Sequence, residues 1–219
     1  MPILDDTQKP PFSAEELRIL GSLMEKQLTT PNNYPLTINA LMLACNQKTS
    51  REPIMNLKEG DVGHIARSLI EHGWVVMQNS GRAQRVEHKV QRQLNLTPQQ
   101  QAVLAVLMLR RPQTLNELKL RTDRMAEFQQ AEQIRTILED WLKAEQPLIM
   151  KLAPQAGQRE ERYYHTLGTE TFAELQAEAS TARLQDTPQL NETAYENLLK
   201  RMDNLERRLE HLESSILNG

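Results

Sequence analysis

The sequence predicts a mostly helical α+β protein: two tandem winged-helix domains followed by a helical tail that ends in a short coiled coil. Three observations predict it. One helix-start pattern occurs twice. Each copy is followed by the same order of elements, two more helices and then a β-hairpin. The last stretch replaces mixed patterning with a heptad repeat.

The repeat is legible residue by residue. Phe12-Ser13-Ala14-Glu15-Glu16-Leu17 aligns with Leu96-Thr97-Pro98-Gln99-Gln100-Gln101. Ser13 and Thr97 are N-cap residues, whose side-chain oxygen accepts a free first-turn N–H. Glu16 and Gln100, three residues later, complete a capping box. Pro98 falls at the first helical position, where its missing N–H is harmless. Ile19, Leu20 and Leu23 then form an apolar stripe at helical spacing, as do Val103, Leu104 and Leu107.

A second short helix is predicted from Thr37 to about Cys45, and its counterpart from Thr114 to about Arg121. A third, amphipathic helix buries Val62, Ile65, Leu69 and Ile70 in the first copy. In the second it buries Ile134, Ile137, Leu138, Trp141 and Leu142. Each third helix runs into a hairpin. The first pairs Trp74 to Gln78 with Gln84 to about Val90 across Asn79-Ser80-Gly81-Arg82; the second pairs Pro147 to Leu152 with Arg162 to His165. Gly81 and Gly157 suit the positive φ that hairpin connections need. Three helices and a terminal hairpin make a winged helix, the hairpin being the wing. The expected boundaries are a flexible N-terminus over 1–11, one domain over 12–94, a second over 95–167 and the tail over 168–219.

The tail opens with a helix near Phe172 to Leu184, which Asp186-Thr187-Pro188 breaks, because the residue before a proline avoids the α region. Over 190–217, Tyr195, Met202, Leu209 and Ile216 occupy a positions, and Leu198, Leu205 and Leu212 occupy d positions. Arg201 and Arg208 at g would meet Glu206 and Glu213 at e of a parallel partner. That spacing fits a homodimer; the other reading is one amphipathic helix folded onto its own chain.

Composition narrows the function classes. The 219 residues carry a net charge of −3, with 25% charged and 4% aromatic residues, which suits a soluble, helix-rich protein. The charge is uneven: 11 Lys+Arg against 10 Asp+Glu over 1–94, 10 against 9 over 95–167, and 5 against 10 over 168–219. A dedicated DNA-binding domain often has a pI above ~9, whereas this chain has a pI near 6.0. No apolar run approaches the ~20 residues of a membrane span. The start shows neither a basic n-region nor a long h-region, so no secretory leader is expected. Cys45 is the only cysteine, which excludes an internal disulfide and points to the cytoplasm.

No catalytic chemistry, metal site or cofactor is expected. His64, His72, His88, His165 and His211 are scattered, and no pair has zinc-ligand spacing. There is no phosphate-binding glycine loop and no nucleophile elbow. Cys45 follows Leu41, Met42, Leu43 and Ala44 and is read as a small core residue.

One segment is dense in hydrogen-bonding side chains. Asn46 to Leu57 lies between the second and third helices of the first copy, and the equivalent turn in the second copy is different in sequence. In a helix-turn-helix geometry the segment lies near a nucleic-acid backbone, where Lys48 and Arg51 could meet phosphates. Equally, Arg51, Glu52 and the asparagines could satisfy one another inside the fold.

Two stretches are specific: Glu25-Lys26-Gln27-x-Thr29-Thr30-Pro31-x-x-Tyr34-Pro35-Leu36, and Cys45-Asn46-Gln47-Lys48-Thr49-x-Arg51-Glu52-Pro53-x-Met55-x-Leu57. With Arg110-Arg111 and Arg159-Glu160-x-Arg162-Tyr163, they resemble the bacterial YceH-like family. The resemblance implies a tandem winged-helix fold in a cytoplasmic bacterial protein and brings no active-site residues with it.

Two functions stay open. As a DNA-binding regulator, the chain would use Lys48 and Arg51, His64 and Arg67 on the third helix, and Arg82, Arg85 and Lys89 on the wing. A homodimer through Leu198, Met202, Leu205, Leu209, Leu212 and Ile216 would multiply those contacts on duplex DNA. Glu59, Asp61, Glu71, Glu132, Glu139 and Asp140 on the two third helices, which would read the DNA, oppose this, since they repel phosphates. The alternative is a scaffold that docks a protein partner and binds no DNA, similar in broad design to the ScpB-type partners of bacterial chromosome-condensing complexes.

Overall fold

The repeated helix starts form as their residue types dictate. The computed structural model describes residues 11–80, 83–154 and 160–177. Ser13 caps α1 (Ala14–Thr29): its hydroxyl accepts the Glu16 N–H at 3.2 Å, and Glu16 accepts the Ser13 N–H at 2.9 Å. Thr97 and Gln100 exchange the same pair of bonds, at 3.2 and 2.9 Å, ahead of a later helix, Pro98–Leu109. Each ring satisfies donors that a helix start otherwise leaves to water.

After a 3-10 turn (Pro31–Asn33) come β1 (Leu36–Thr37) and α2 (Ile38–Cys45), capped by Thr37, whose hydroxyl accepts the Ala40 N–H at 3.2 Å. The amphipathic α3 (Glu59–Glu71) buries Val62 and Leu69, with Ile65 and Ile70 packed at the edge of the core. The hairpin of β2 (Val75–Ser80) and β3 (Ala83–His88) follows, from Val75↔His88 to Ser80↔Ala83. β1 adds to the other side of β3, Leu36 opposite Val86, so the returning strand lies in the middle of a three-stranded antiparallel sheet.

The strand ends two residues before Val90, where the sequence pattern ended it. The Lys89 N–H donates to the Trp74 carbonyl at 2.7 Å, and the fully buried Val90 opens the single-turn α4 (Val90–Gln93). Val90 fills the core from a helix instead of extending the ladder.

The second half repeats the order with α5 (Pro98–Leu109), α6 (Leu115–Thr122), α7 (Ala131–Lys143), β4 (Ile149–Leu152) and β5 (Arg162–His165). Thr114 caps α6 with Glu117 as its capping-box partner. In place of β1 there is one bridge, Gln113↔Tyr163, with N–H to carbonyl distances of 2.9 and 2.8 Å. The protein is thus α+β, mostly helical, with two small antiparallel sheets.

One hydrophobic core runs through both halves, from Phe12 to Leu167. The reason is α5. Every residue from Gln101 to Leu109 is buried, and a helix apolar all round needs cover on every side. Its own half covers one side and α1 covers the other. The two helices run antiparallel: the Gln101 side chain donates to the Met24 carbonyl at 3.2 Å, while Gly21 lies against Met108 and Leu109. A Cβ on Gly21 would come within 3.0 Å of Leu109 Cγ and Met108 Cβ, so glycine permits this approach. The chain then returns to its start. The Phe12 N–H donates to the Leu167 carbonyl at 2.9 Å, and the Phe12 ring packs edge-on against Trp74, centroids 5.0 Å apart.

Candidate functional site

The polar connection between α2 and α3 is folded inward by its own side chains. Asn46 grips the Leu57 backbone with its amide, donating to the carbonyl and accepting from the N–H, both at 2.8 Å. Arg51 donates from Nε to the Ala44 carbonyl at 3.0 Å, and from Nη1 and Nη2 to Glu25 on α1 at 3.2 and 2.5 Å. Its side chain is 0% exposed. The expectation that Arg51 reaches a phosphate therefore fails in this geometry: a guanidinium locked in a bidentate pair beneath the surface has no face left for a ligand. Arg18, also on α1, donates to the carbonyls of Cys45 and Pro53 at 3.1 and 2.5 Å. The Glu52 N–H reaches the Leu109 carbonyl at 2.9 Å and ties the segment to the end of α5.

Sequence reasoning missed Arg18 and Glu25. The signal was in the repeat itself. Where α1 has Arg18 and Glu25, α5 has Ala102 and Leu109. The first half carries the longer polar connection, and these buried charges hold it.

The wing residues are likewise committed to neighbours. Strand alternation puts Arg85 and Glu87 on one face of β3, with Val86 and His88 buried on the other. Arg85 donates to the Pro35 carbonyl at 2.8 Å. Glu87 accepts from the Lys89 ammonium at 2.8 Å and from the Gln78 amide. Arg82 lies outside the described residues. Lys48, His64 and Arg67 are exposed. On α7 the exposed cations sit beside carboxylates: Arg135 is 3.2 Å from Glu132, and Lys143 is 3.3 Å from Glu139.

The repeat also places two apolar side chains in water. Leu43 on α2 and Leu120 on α6 each lie six residues beyond their N-cap threonine, and they are 59% and 78% exposed.

Burial pushes His88 and His165 down to about 4 and the Cys45 thiol up to about 11. Cys45 is a core residue, as its apolar neighbours predicted. Among the described residues no group of three His, Cys, Asp or Glu is placed to hold a metal ion, and no helix is long and apolar enough to cross a membrane. The heptad residues Leu198, Met202, Leu205, Leu209, Leu212 and Ile216 lie outside the described residues.

The class is a duplicated helix-and-hairpin protein of the α+β type. The model of the family described as "Protein of unknown function, DUF480" matches residues 12–158. The UPF0502 protein of Pseudomonas fluorescens strain Pf0-1 is 51% identical over 162 residues, 74% of each chain. That of Pseudomonas aeruginosa strain PAO1 is 51% identical over 178 residues, 81% of this chain and 78% of its own. That of Azotobacter vinelandii strain DJ is 49% identical over 174 residues, 79% and 77%. The chain belongs to this DUF480, or UPF0502, family, the YceH-like family that its motifs resemble.

Proposed function

We propose that the chain is a tandem winged-helix protein without catalytic activity, whose work is to dock another protein in the cytoplasm. The fold part of this reading rests on the order of elements: three helices and a hairpin, twice, with the strand or bridge ahead of each second helix pairing to the returning strand. The functional part rests on one observation, the fate of the basic residues. Arg51 is inside, Arg85 is bound to the Pro35 carbonyl, and Lys89 is neutralised by Glu87. A surface that spends its cations on its own backbone and carboxylates keeps little to offer a phosphate chain. Leu43 and Leu120, exposed at one repeat position, are the side chains that a protein partner would cover. Dimerisation through the heptad segment 190–217 belongs to the same reading.

The second reading, a duplex DNA binder, is favoured by Lys48, His64 and Arg67, which stay exposed in the first half. An anisotropy titration with random duplex at about 50 mM salt decides between them. The docking reading expects no saturable binding. Micromolar affinity that collapses as salt rises would overturn it in favour of DNA. In cells, a photo-crosslinker at position 43 or 120 should give one discrete adduct, and the same group at position 139 should give none.

A further inference from the structure

Two arginines where α5 meets α6 each keep a buried N–H group without an acceptor. Arg110 directly follows α5, and Arg121 lies in the last turn of α6. Glu25 faces Arg110, but its carboxylate already holds the Arg51 fork and has the Lys26 ammonium at 3.7 Å. Glu117 is the partner of Arg121, and it is shared. It accepts the Thr114 N–H and an Arg162 N–H, each at 2.9 Å, and stands 3.8 Å from Arg121. Nη1 of Arg110 and Nη1 of Arg121 are both buried and have no hydrogen-bond partner.

Buried donors without acceptors cost free energy, the more so on a charged group. The two guanidiniums also repel each other. Burial and then Arg121 beside it push the Arg110 guanidinium down to about 10; Arg51 adds to the effect, and Glu25 and Glu52 oppose it. Both residues keep part of their surface open to solvent. An incoming anion would supply the missing acceptors and offset the repulsion together. Two planar forks suit an ion with several oxygens, because each fork pairs with two of them.

We propose that Arg110 and Arg121 form a binding site for a small oxyanion of the phosphate class, inorganic phosphate or a phosphate monoester. The site does not depend on the docking reading, and it stands or falls separately from it.

The test is a calorimetric titration of the full chain with inorganic phosphate at about 50 mM salt. One saturable site is expected. Arg110→Gln and Arg121→Gln should each weaken it at least about tenfold, and Arg135→Gln on α7 should leave it unchanged. Circular dichroism checks that each variant folds. A second readout needs no variant: phosphate should raise the wild-type Tm more than chloride of equal ionic strength, as a ligand of the folded state must. No saturable heat and no such rise in the wild type would overturn the site, and so would unchanged affinity in both folded glutamine variants. Random duplex DNA then serves as competitor. Displacement of phosphate identifies a nucleic-acid backbone as the natural source of the group; no displacement identifies a free phosphate or monoester, and either result supports the site.

Discussion

His88 and His165 occupy one position in two copies of the same strand. Registering the sheets on Leu36↔Val86 and Gln113↔Tyr163 superposes Arg85-Val86-Glu87-His88 on Arg162-Tyr163-Tyr164-His165. The match extends to the hydrogen bonds. Arg85 donates to the Pro35 carbonyl at 2.8 Å, and Arg162 donates to the Pro112 carbonyl at 2.7 Å. The histidines are 3% and 1% exposed. His88 contacts the Gln27 amide oxygen at 2.9 Å, whereas both ring nitrogens of His165 lack a partner and its ring stacks on Tyr164.

The pair makes stability fall in mild acid. Burial lowers both imidazoles from 6.5 to about 4, so between those values the unfolded chain binds more protons than the folded one. Their contribution is complete above the unfolded value and is lost as pH drops toward the folded one. At roughly pH 5.5 the loss is on the order of 1 kcal/mol per histidine. Urea midpoints at about pH 7.5 and pH 5.5 measure it. The H88Q/H165Q variant should be nearly flat across that window; a wild-type midpoint that does not move contradicts the prediction.

The Arg51–Glu25 pair should behave as a buried unit, its side chains being 0% and 8% exposed. Arg51→Ala or Glu25→Gln alone strands a charge or its acceptors and should cost about 3–5 kcal/mol. Arg51→Met with Glu25→Leu should cost much less than the two single changes added together. A double-mutant cycle on denaturant unfolding reads the coupling, and simple additivity would show that the pair is not a unit.

Gly21 and Gly60 should respond in opposite directions. Leucine at Gly21 must displace Met108 and Leu109 at the crossing of α1 and α5, and should cost roughly 1–3 kcal/mol. A Cβ at Gly60, in the first turn of α3, meets nothing within 4 Å. There alanine removes backbone freedom from the unfolded chain and should stabilise by about 0.5–1 kcal/mol. Thermal melts of the two variants check both signs.

Arg85 and Arg162 should hold the approach to α2 and α6. Alanine at either position removes a charged donor from a proline carbonyl and should cost about 1–2 kcal/mol. In Arg162→Ala the Gln113 amide, which donates to Tyr163, should exchange hydrogen faster than in the wild type. Unaltered exchange would assign the arginine to the surface alone.

Much of the fold was legible because its signals are local. Ser13 and Thr97 cap the helices they were expected to cap, and Thr37 and Thr114 cap the helices expected to start there, since a side-chain oxygen satisfies the nearest free N–H whatever the rest of the chain does. The amphipathic stripes of α3 and α7 and both hairpins follow from spacing alone. The Arg-x-x-His match between β3 and β5 was also present in the sequence, but its meaning needed the register.

By itself, then, the sequence determined the duplicated order of helices and strands, the helix starts and the family. Tertiary structure decided where the charges went. Arg18, Glu25 and Arg51 are far apart in the chain and meet only because α2 and its long connection fold against α1. A charged residue reads as surface until its partner is known, and the partner is fixed by packing between distant elements. The same packing around the all-apolar α5 joins the two halves in one core and sets Arg110 beside Arg121, each with a buried N–H group that no acceptor meets.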